Sequence, residues 1–240
     1  MKRLILVLAT AAVAVSVQPP QKATHLTRVN LRDGLTYVWI EPGTYWTGCL
    51  PGDTNCFGWE RKRAQIMIAE GFWIGQTEVT QAAYLRVMNS NPSLYQGDGL
   101  PAERVGWAEA TSYCSRIGMR LPTESEWEYA AYGGEAQPSA ETLPNIAWYD
   151  PNSDNRTHPV AQKQPNGYGL YDTLGNVMEW VSDTGTAPEG NHLLKGGSFF
   201  NAARALHVSN RLGAPEDLRH RDVGMRCAGN ASWFRPSPSG

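Results

Sequence analysis

Charge is scarce in this chain. Asp, Glu, Lys and Arg make up 18% of its 240 residues, and 21 basic against 23 acidic residues leave a formal net charge of −2. No global basic excess points to nucleic acid or an anionic membrane as a partner. Long apolar runs are missing beyond the first 17 residues, and nothing later approaches the ~20 residues that span a bilayer. No Gly-x-Ser-x-Gly, His-Glu-x-x-His, P-loop or dinucleotide fingerprint occurs. Standard hydrolases, zinc peptidases and nucleotide enzymes therefore lack support. What the chain has is 24 Gly, 16 Pro, 9 Trp and 10 Tyr, with 41% apolar residues. That excludes general disorder and describes a loop-rich chain pinned by aromatics. The length suits one domain, or two small ones, with a proper core.

Lys2 and Arg3 precede an apolar run from Leu4 to Val17. This is the pattern of a signal peptide over residues 1–17, with small residues offering cleavage sites. The mature protein is expected to be secreted or periplasmic, with no membrane contact after cleavage. A retained anchor is the alternative. In an oxidising compartment an even count of cysteines favours disulfides. Cys49 and Cys56 flank a turn-rich loop. Cys114 and Cys227 would then pair across most of the chain, stabilising it by roughly 4–5 kcal/mol on a chain-entropy model. A cysteine metal site is the competing reading, but no Cys-x-x-Cys or suitably spaced His supports it.

Residues 18–34 read as a polar lead-in, 35–230 as the domain and 231–240 as a tail. Thr36–Ile40 reads as a strand, with Thr44–Thr47 as its hairpin partner beyond Glu41-Pro42-Gly43. Ile66–Ile68 and Phe72–Ile74 are further short strands. A helix begins at Thr80, whose hydroxyl can cap free N–H groups, with Val79 stapling against Tyr84. A second runs from about Trp107 to Ile117, turning Cys114 inward and ending at Gly118. Thr123-Glu-Ser-Glu126 is a capping-box pattern that starts a third. From Gln137 to Asp172 the chain is mostly loop, a length usually kept for function or for an ion. Helices segregated from short strands give an α+β fold class.

Several motifs, in order, resemble the formylglycine-generating enzyme family, also called sulfatase-modifying factors. They are Gly71–Thr80, Arg120–Ala131, Asn166–Asp172, Gly175–Trp180, Lys195–Phe199 and Val223–Cys227. The resemblance implies a single loop-rich domain of the C-type-lectin-like kind. It also implies that Cys114 and Cys227 form a buried disulfide.

Active members resemble one another in a cysteine pair that follows Gly-Gly-Ser, binds copper and oxidises a substrate cysteine with O₂. That chemistry needs thiolates. Alignment on Gly196-Gly197-Ser198 puts Asn201 and Leu206 at those positions, so cysteine oxidation and copper are not expected. Asn201, Arg204, His207 and Arg211 instead suggest a groove for a peptide, a protein or a small anionic ligand. The same segment carries Arg219, His220 and Arg221. Alternatively these arginines pair with acidic groups such as Glu179, Asp183 and Asp217. His207 and His220 are too few for iron. A divergent oxidase of the family, maturing a protein or siderophore, is the second functional reading.

The resemblance further implies calcium at Asn176 and Glu179, with Asn145 marking a second, shortened site. Hard oxygen ligands suit Ca²⁺. Trp127, Trp148 and Trp180 read as core rather than as a binding wall. The Glu60–Arg63 run reads as a solvated loop.

Overall fold

A computed structural model describes residues 25–48, 57–58, 62–134, 139, 141–184 and 191–234. The expected signal peptide and the Cys49–Cys56 pair lie outside the described residues.

The first sheet joins β1 (Thr27–Val29), β2 (Thr36–Ile40), β5 (Phe72–Gly75) and β10 (Ala228–Asn230) in the order β1-β2-β5-β10, all antiparallel. The lead-in thus supplies an edge strand, with Thr27 opposite Val38. Asn30 and Asp33 then turn inward: Asn30 Nδ2 donates to Ile117 O (3.1 Å) and Tyr37 OH to Asp33 Oδ2 (2.7 Å). At the other end, Trp233 packs edge-on against Tyr37 and Trp73, so the fold continues past residue 230.

The expected hairpin between β2 and the next strand does not form. β3 (Gly43–Thr47) pairs with β4 (Ala64–Ile68) in a separate two-stranded sheet. Both edges of β2 are taken by β1 and β5. Pro42 has no N–H for a ladder and restricts Glu41, so the chain leaves the sheet there.

The third sheet runs β8-β7-β6-β9: β6 (Met178–Thr184), β7 (Asn191–Lys195), β8 (Arg211–Pro215) and β9 (Val223–Gly224), with β6 and β9 parallel. Helices α1 (Gln81–Met88), α2 (Trp107–Arg116) and α3 (Glu124–Tyr132) follow their sequence signals. Thr80 accepts from Ala83 N. Thr123 and Glu126 form the reciprocal box, with Thr123 N donating to Glu126 Oε2 at 2.8 Å and Glu126 N to Thr123 Oγ1 at 3.1 Å. The long connection beyond α3 holds one short helix among the described residues, α4 (Leu143–Ile146).

Cys114 on α2 is disulfide-bonded to Cys227, just before β10, with 5.6 Å between Cα atoms. The bridge lies in the main core with Tyr84, Tyr113, Trp180 and Met225. Trp127 and Trp180 are fully buried, as expected of core aromatics. Trp148 is half-buried, with His158 stacked on its ring at 3.8 Å.

Candidate functional site

β7 ends at Lys195 and the chain turns through Gly196 and Gly197, at φ +89° and +68°. A Cβ on Gly196 would stand 2.9 Å from Thr173 O and 3.1 Å from the Trp127 ring. Only glycine fits, because the conformation is left-handed and the approach is to backbone. The turn delivers Ser198, whose N–H donates to Asn201 Oδ1 (2.9 Å) and whose Oγ lies 2.8 Å from Asp222 Oδ2. His220 Nδ1 contacts the other oxygen of Asp222.

Beside this turn lies a cleft of about 180 Å³, lined by Lys195, Gly196, Gly197, Asn201 and Arg211 over apolar groups including Met178 and Leu194. Its charged floor is balanced. Lys195 is buried and donates to Glu128 Oε1 at 2.8 Å, with Glu124 Oε1 3.6 Å away. Tyr45 OH donates to Glu128 Oε2 at 3.0 Å. Burial and this neighbouring carboxylate push the Tyr45 hydroxyl well above its usual range, so it stays a donor. Arg211 Nη1 stands 3.5 Å from Glu124 Oε2. Asn201 Oδ1 faces Ser198, so its amide NH₂ and the Arg211 guanidinium are among the donors lining this cleft, while Lys195 donates to Glu128 and Asn210 Nδ2 to Ala205 O.

The structure thus brings Asn201 and Arg211 together. Arg204 is exposed and reaches the ring of Phe57, another lining residue, at 5.8 Å. His207 is half-buried; its carbonyl accepts from Asn210 N at 3.0 Å, and it does not line the cleft. Leu206 is 2% exposed, within the core cluster that contains Trp127 and Leu174. The arginines of this region pair otherwise than expected: Arg211 with Glu124, and Arg219 with Glu109. Asp183 accepts from Glu124 N.

A second charged group is equally buried. Arg226 forms a two-point pair with Glu179, 2.7 Å at each contact, and Trp127 Nε1 donates to the same carboxylate at 2.7 Å. Asn176, at φ +51°, donates to Glu78 Oε2 (2.7 Å) and accepts from His158 N (3.0 Å). Burial raises the Glu78 carboxyl well above its ordinary pKa, and Asp172 and Glu179 nearby add to the effect. Asp172 is pushed up to about 6, again chiefly by burial.

The profile of a family described as "Sulfatase-modifying factor enzyme 1-like domain" matches residues 23–231. The chain belongs to this family. Relatives include "Chaperone protein LppX" of Paenibacillus barcinonensis, 30% identical, covering 62% of this chain and 79% of that one. "Inactive C-alpha-formylglycine-generating enzyme 2" of Mus musculus is 29% identical, covering 75% of this chain and 68% of that one. The solved "Treponema denticola variable protein 1" superposes with a TM-score of 0.76 at 25% identity, covering 86% of this chain and all of that one. The single α+β domain is thereby that of the sulfatase-modifying-factor family.

The family's expected calcium can be tested against these residues. Glu179 already receives Arg226 and Trp127, and the Asn176 amide oxygen receives His158 N–H. Neither offers Ca²⁺ an idle oxygen. Asn145 is exposed on α4, outside this network. Asp172 fits better: its Oδ1 is buried and has no hydrogen-bond partner among the described residues. The described residues hold no group of three His, Cys, Asp or Glu side chains suited to a metal, so calcium here would draw on carbonyl oxygens too.

Sequence reasoning missed Lys195, Glu124, Glu128, Glu78, Asp172 and Arg226 as charged centres. A signal existed for some. Lys195 ends the apolar run Leu193-Leu194, and Glu124 and Glu128 are four apart on a helix, on one side.

Proposed function

We propose that this chain is an exported, non-catalytic member of the family whose cleft beside Asn201 binds a peptide, a protein or a small anionic ligand. The observation that carries the reading is what stands after Gly196-Gly197-Ser198. Asn201 holds the Ser198 turn through its side-chain oxygen, and Leu206 is a buried apolar side chain. Neither offers a thiolate, without which copper binding and disulfide exchange with a substrate cysteine have no ligand or nucleophile. Cys114 and Cys227 are joined to each other. Relatives named as an inactive enzyme and as a chaperone support a role in binding rather than oxidation.

Ligand recognition would use the Asn201 amide NH₂ and the Arg211 guanidinium for a carboxylate, with Met178 and Leu194 against its apolar stem. The volume suits one side chain. Export follows from the Lys2-Arg3 and Leu4–Val17 pattern. Among the described residues no helix is long and apolar enough to cross a membrane. Calcium at Asp172 completes the proposal as a structural ion.

The deciding experiment supplies copper, O₂ and a Cys-x-Pro-x-Arg peptide. Mass spectrometry should find the peptide cysteine unoxidised. Turnover above background would mean that Asn201 and Leu206 are not the positions that matter. In parallel, N-acetylglutamate should shift the amide resonances of Gly196, Gly197 and Asn201, and Arg211→Ala should remove those shifts. Unchanged resonances in the wild type would rule out the cleft as a carboxylate site.

A further inference from the structure

The segment after the double glycine carries another feature, on residues the cleft does not use. Phe199 is buried while its neighbour Phe200 is 51% exposed. Arg221 lies near both rings, its Cζ 5.6 Å and 5.2 Å from their centroids. Its guanidinium is fixed by donating to Tyr95 OH (3.1 Å) and Asn155 Oδ1 (3.2 Å). Arg156 stands over the Tyr95 ring at 5.8 Å. Arg104 adjoins through its N–H to His220 O at 3.1 Å.

Arg120, Arg211, Arg219 and Arg226 each have a carboxylate partner. Among the described residues Arg104, Arg156 and Arg221 form no close ion pair, as is also true of Arg32, Arg63, Arg86, Arg116 and Arg204; Arg104 acts on the Glu103 carboxyl only at longer range. What sets these three apart is their place beside Tyr95, Phe199 and Phe200. Asp154, on the same loop, pairs with none of them.

The face is also built in advance. Asp154 and Asn155 sit at φ +52° and +54°, a left-handed conformation that costs most residues and that Asn and Asp tolerate best. Ser153 Oγ donates to Phe199 O (2.8 Å) and accepts from Asn155 N (3.2 Å), tying this loop to the phenylalanine pair. Tyr95 OH donates to Asn155 O (3.0 Å), and Tyr95 N to the buried Glu103 Oε1 (2.9 Å). Holding Arg and Tyr side chains before binding lowers the ordering cost of an interface.

We infer that this face docks an acidic segment of a protein partner. Carboxylates would meet Arg221, Arg156 and Arg104, and an apolar side chain beside them would cover Phe200. Cations with no close carboxylate partner, set beside half-exposed aromatics, are the composition of a protein-binding hot spot. A continuous polyphosphate fits less well, because Asp154 shares the loop and the chain has no basic excess.

The test uses a fluorescein-labelled peptide of four glutamates flanking one phenylalanine, read by anisotropy at low salt. The wild type should bind it, and added salt should weaken binding. Arg221→Ala should cost about tenfold in affinity, and Arg156→Ala and Arg104→Ala severalfold each. The last two side chains are exposed, so their variants keep the test valid if Arg221→Ala lowers stability. Peptide-induced amide shifts should fall on Tyr95, Asn155 and Phe200, not on Gly196 and Gly197, which separates this face from the cleft. Three results would each overturn the inference: no binding by wild type, unchanged affinity in Arg156→Ala and Arg104→Ala, or equal binding of a lysine counterpart. So would tighter binding of an oligothymidylate of equal charge, which would make the face a nucleic-acid site.

Discussion

Two buried charge groups in this domain are built on opposite terms. Around Lys195, two carboxylates face two cations: Glu124 and Glu128 against Lys195 and Arg211. Around Arg226, three carboxylates, Glu78, Asp172 and Glu179, face one guanidinium. In the first group Glu128 receives Lys195 on one oxygen and Tyr45 and Thr47 on the other. In the second, Asp172 Oδ1 receives nothing among the described residues and its pKa rises to about 6. The matched group can floor a cleft, because its charges are already compensated when a ligand arrives. The unmatched group acts as a staple. Arg226 donates to the carbonyls of Gly75, Tyr171 and Asp172 (3.1, 3.0 and 3.2 Å), tying β5 to the long loop. Its surplus of negative charge is what protonation or a cation would relieve.

The largest expected effect is at the staple. Arg226→Met removes the buried guanidinium of its group, leaving only Lys163 to act on Asp172, and strands Glu179 in the core. Urea unfolding should show a loss of about 3–5 kcal/mol, or failure to fold. Adding Glu179→Gln should recover part of the loss. Lys195→Met comes second, at about 2–3 kcal/mol, because Tyr45 and Thr47 still donate to Glu128 and Arg211 still faces Glu124. Equal losses in the two variants would erase the distinction between the groups.

Calcium sharpens it further. If the surplus is met by a cation, chelation should lower the melting temperature. Free calcium at 100 times its dissociation constant stabilises by about 2.7 kcal/mol, roughly 5–10 °C for a domain of this size. Asp172→Asn should remove the response. No response at millimolar calcium would leave protonation as the relief.

The smallest effect lies at a buried neutral group outside both. His192 stacks on Trp107, with ring centroids 3.7 Å apart, and burial lowers its pKa. The unfolded chain therefore binds this proton more readily. The stability contributed is present above the unfolded pKa near ~6.5 and is lost as pH falls through it. His192→Gln should flatten the decline in melting temperature between about pH 7 and 5. An unchanged slope would assign that decline to other groups.

How much of this was legible in the chain depends on reach. The capping box at Thr123 and Glu126, the Thr80 cap and the inward Cys114 are patterns read over three or four residues, and each stands where its spacing put it. The strand at Gly43–Thr47 was legible as a strand but not its partner, because alternation fixes which face is buried and not which edge is free. The groove residues divided in the same way. Asn201 and Arg211 meet at the cleft because β7, its glycine turn and β8 bring them there, whereas Arg204 and His207, close in sequence, do not line it.

By itself, then, the amino-acid sequence determined the fold family, where the three longer helices begin and the want of sulfur at Asn201 and Leu206. These are matters of identity and of short-range order. Which charges compensate one another was decided only by the tertiary structure. Arg226 meets Glu179 47 positions away and Gly75 O 151 away, and Lys195 meets Glu128 across 67. A carboxylate's energy depends on the donors within about 4 Å of it and on the water excluded around it, and neither is a property of its neighbours in the chain.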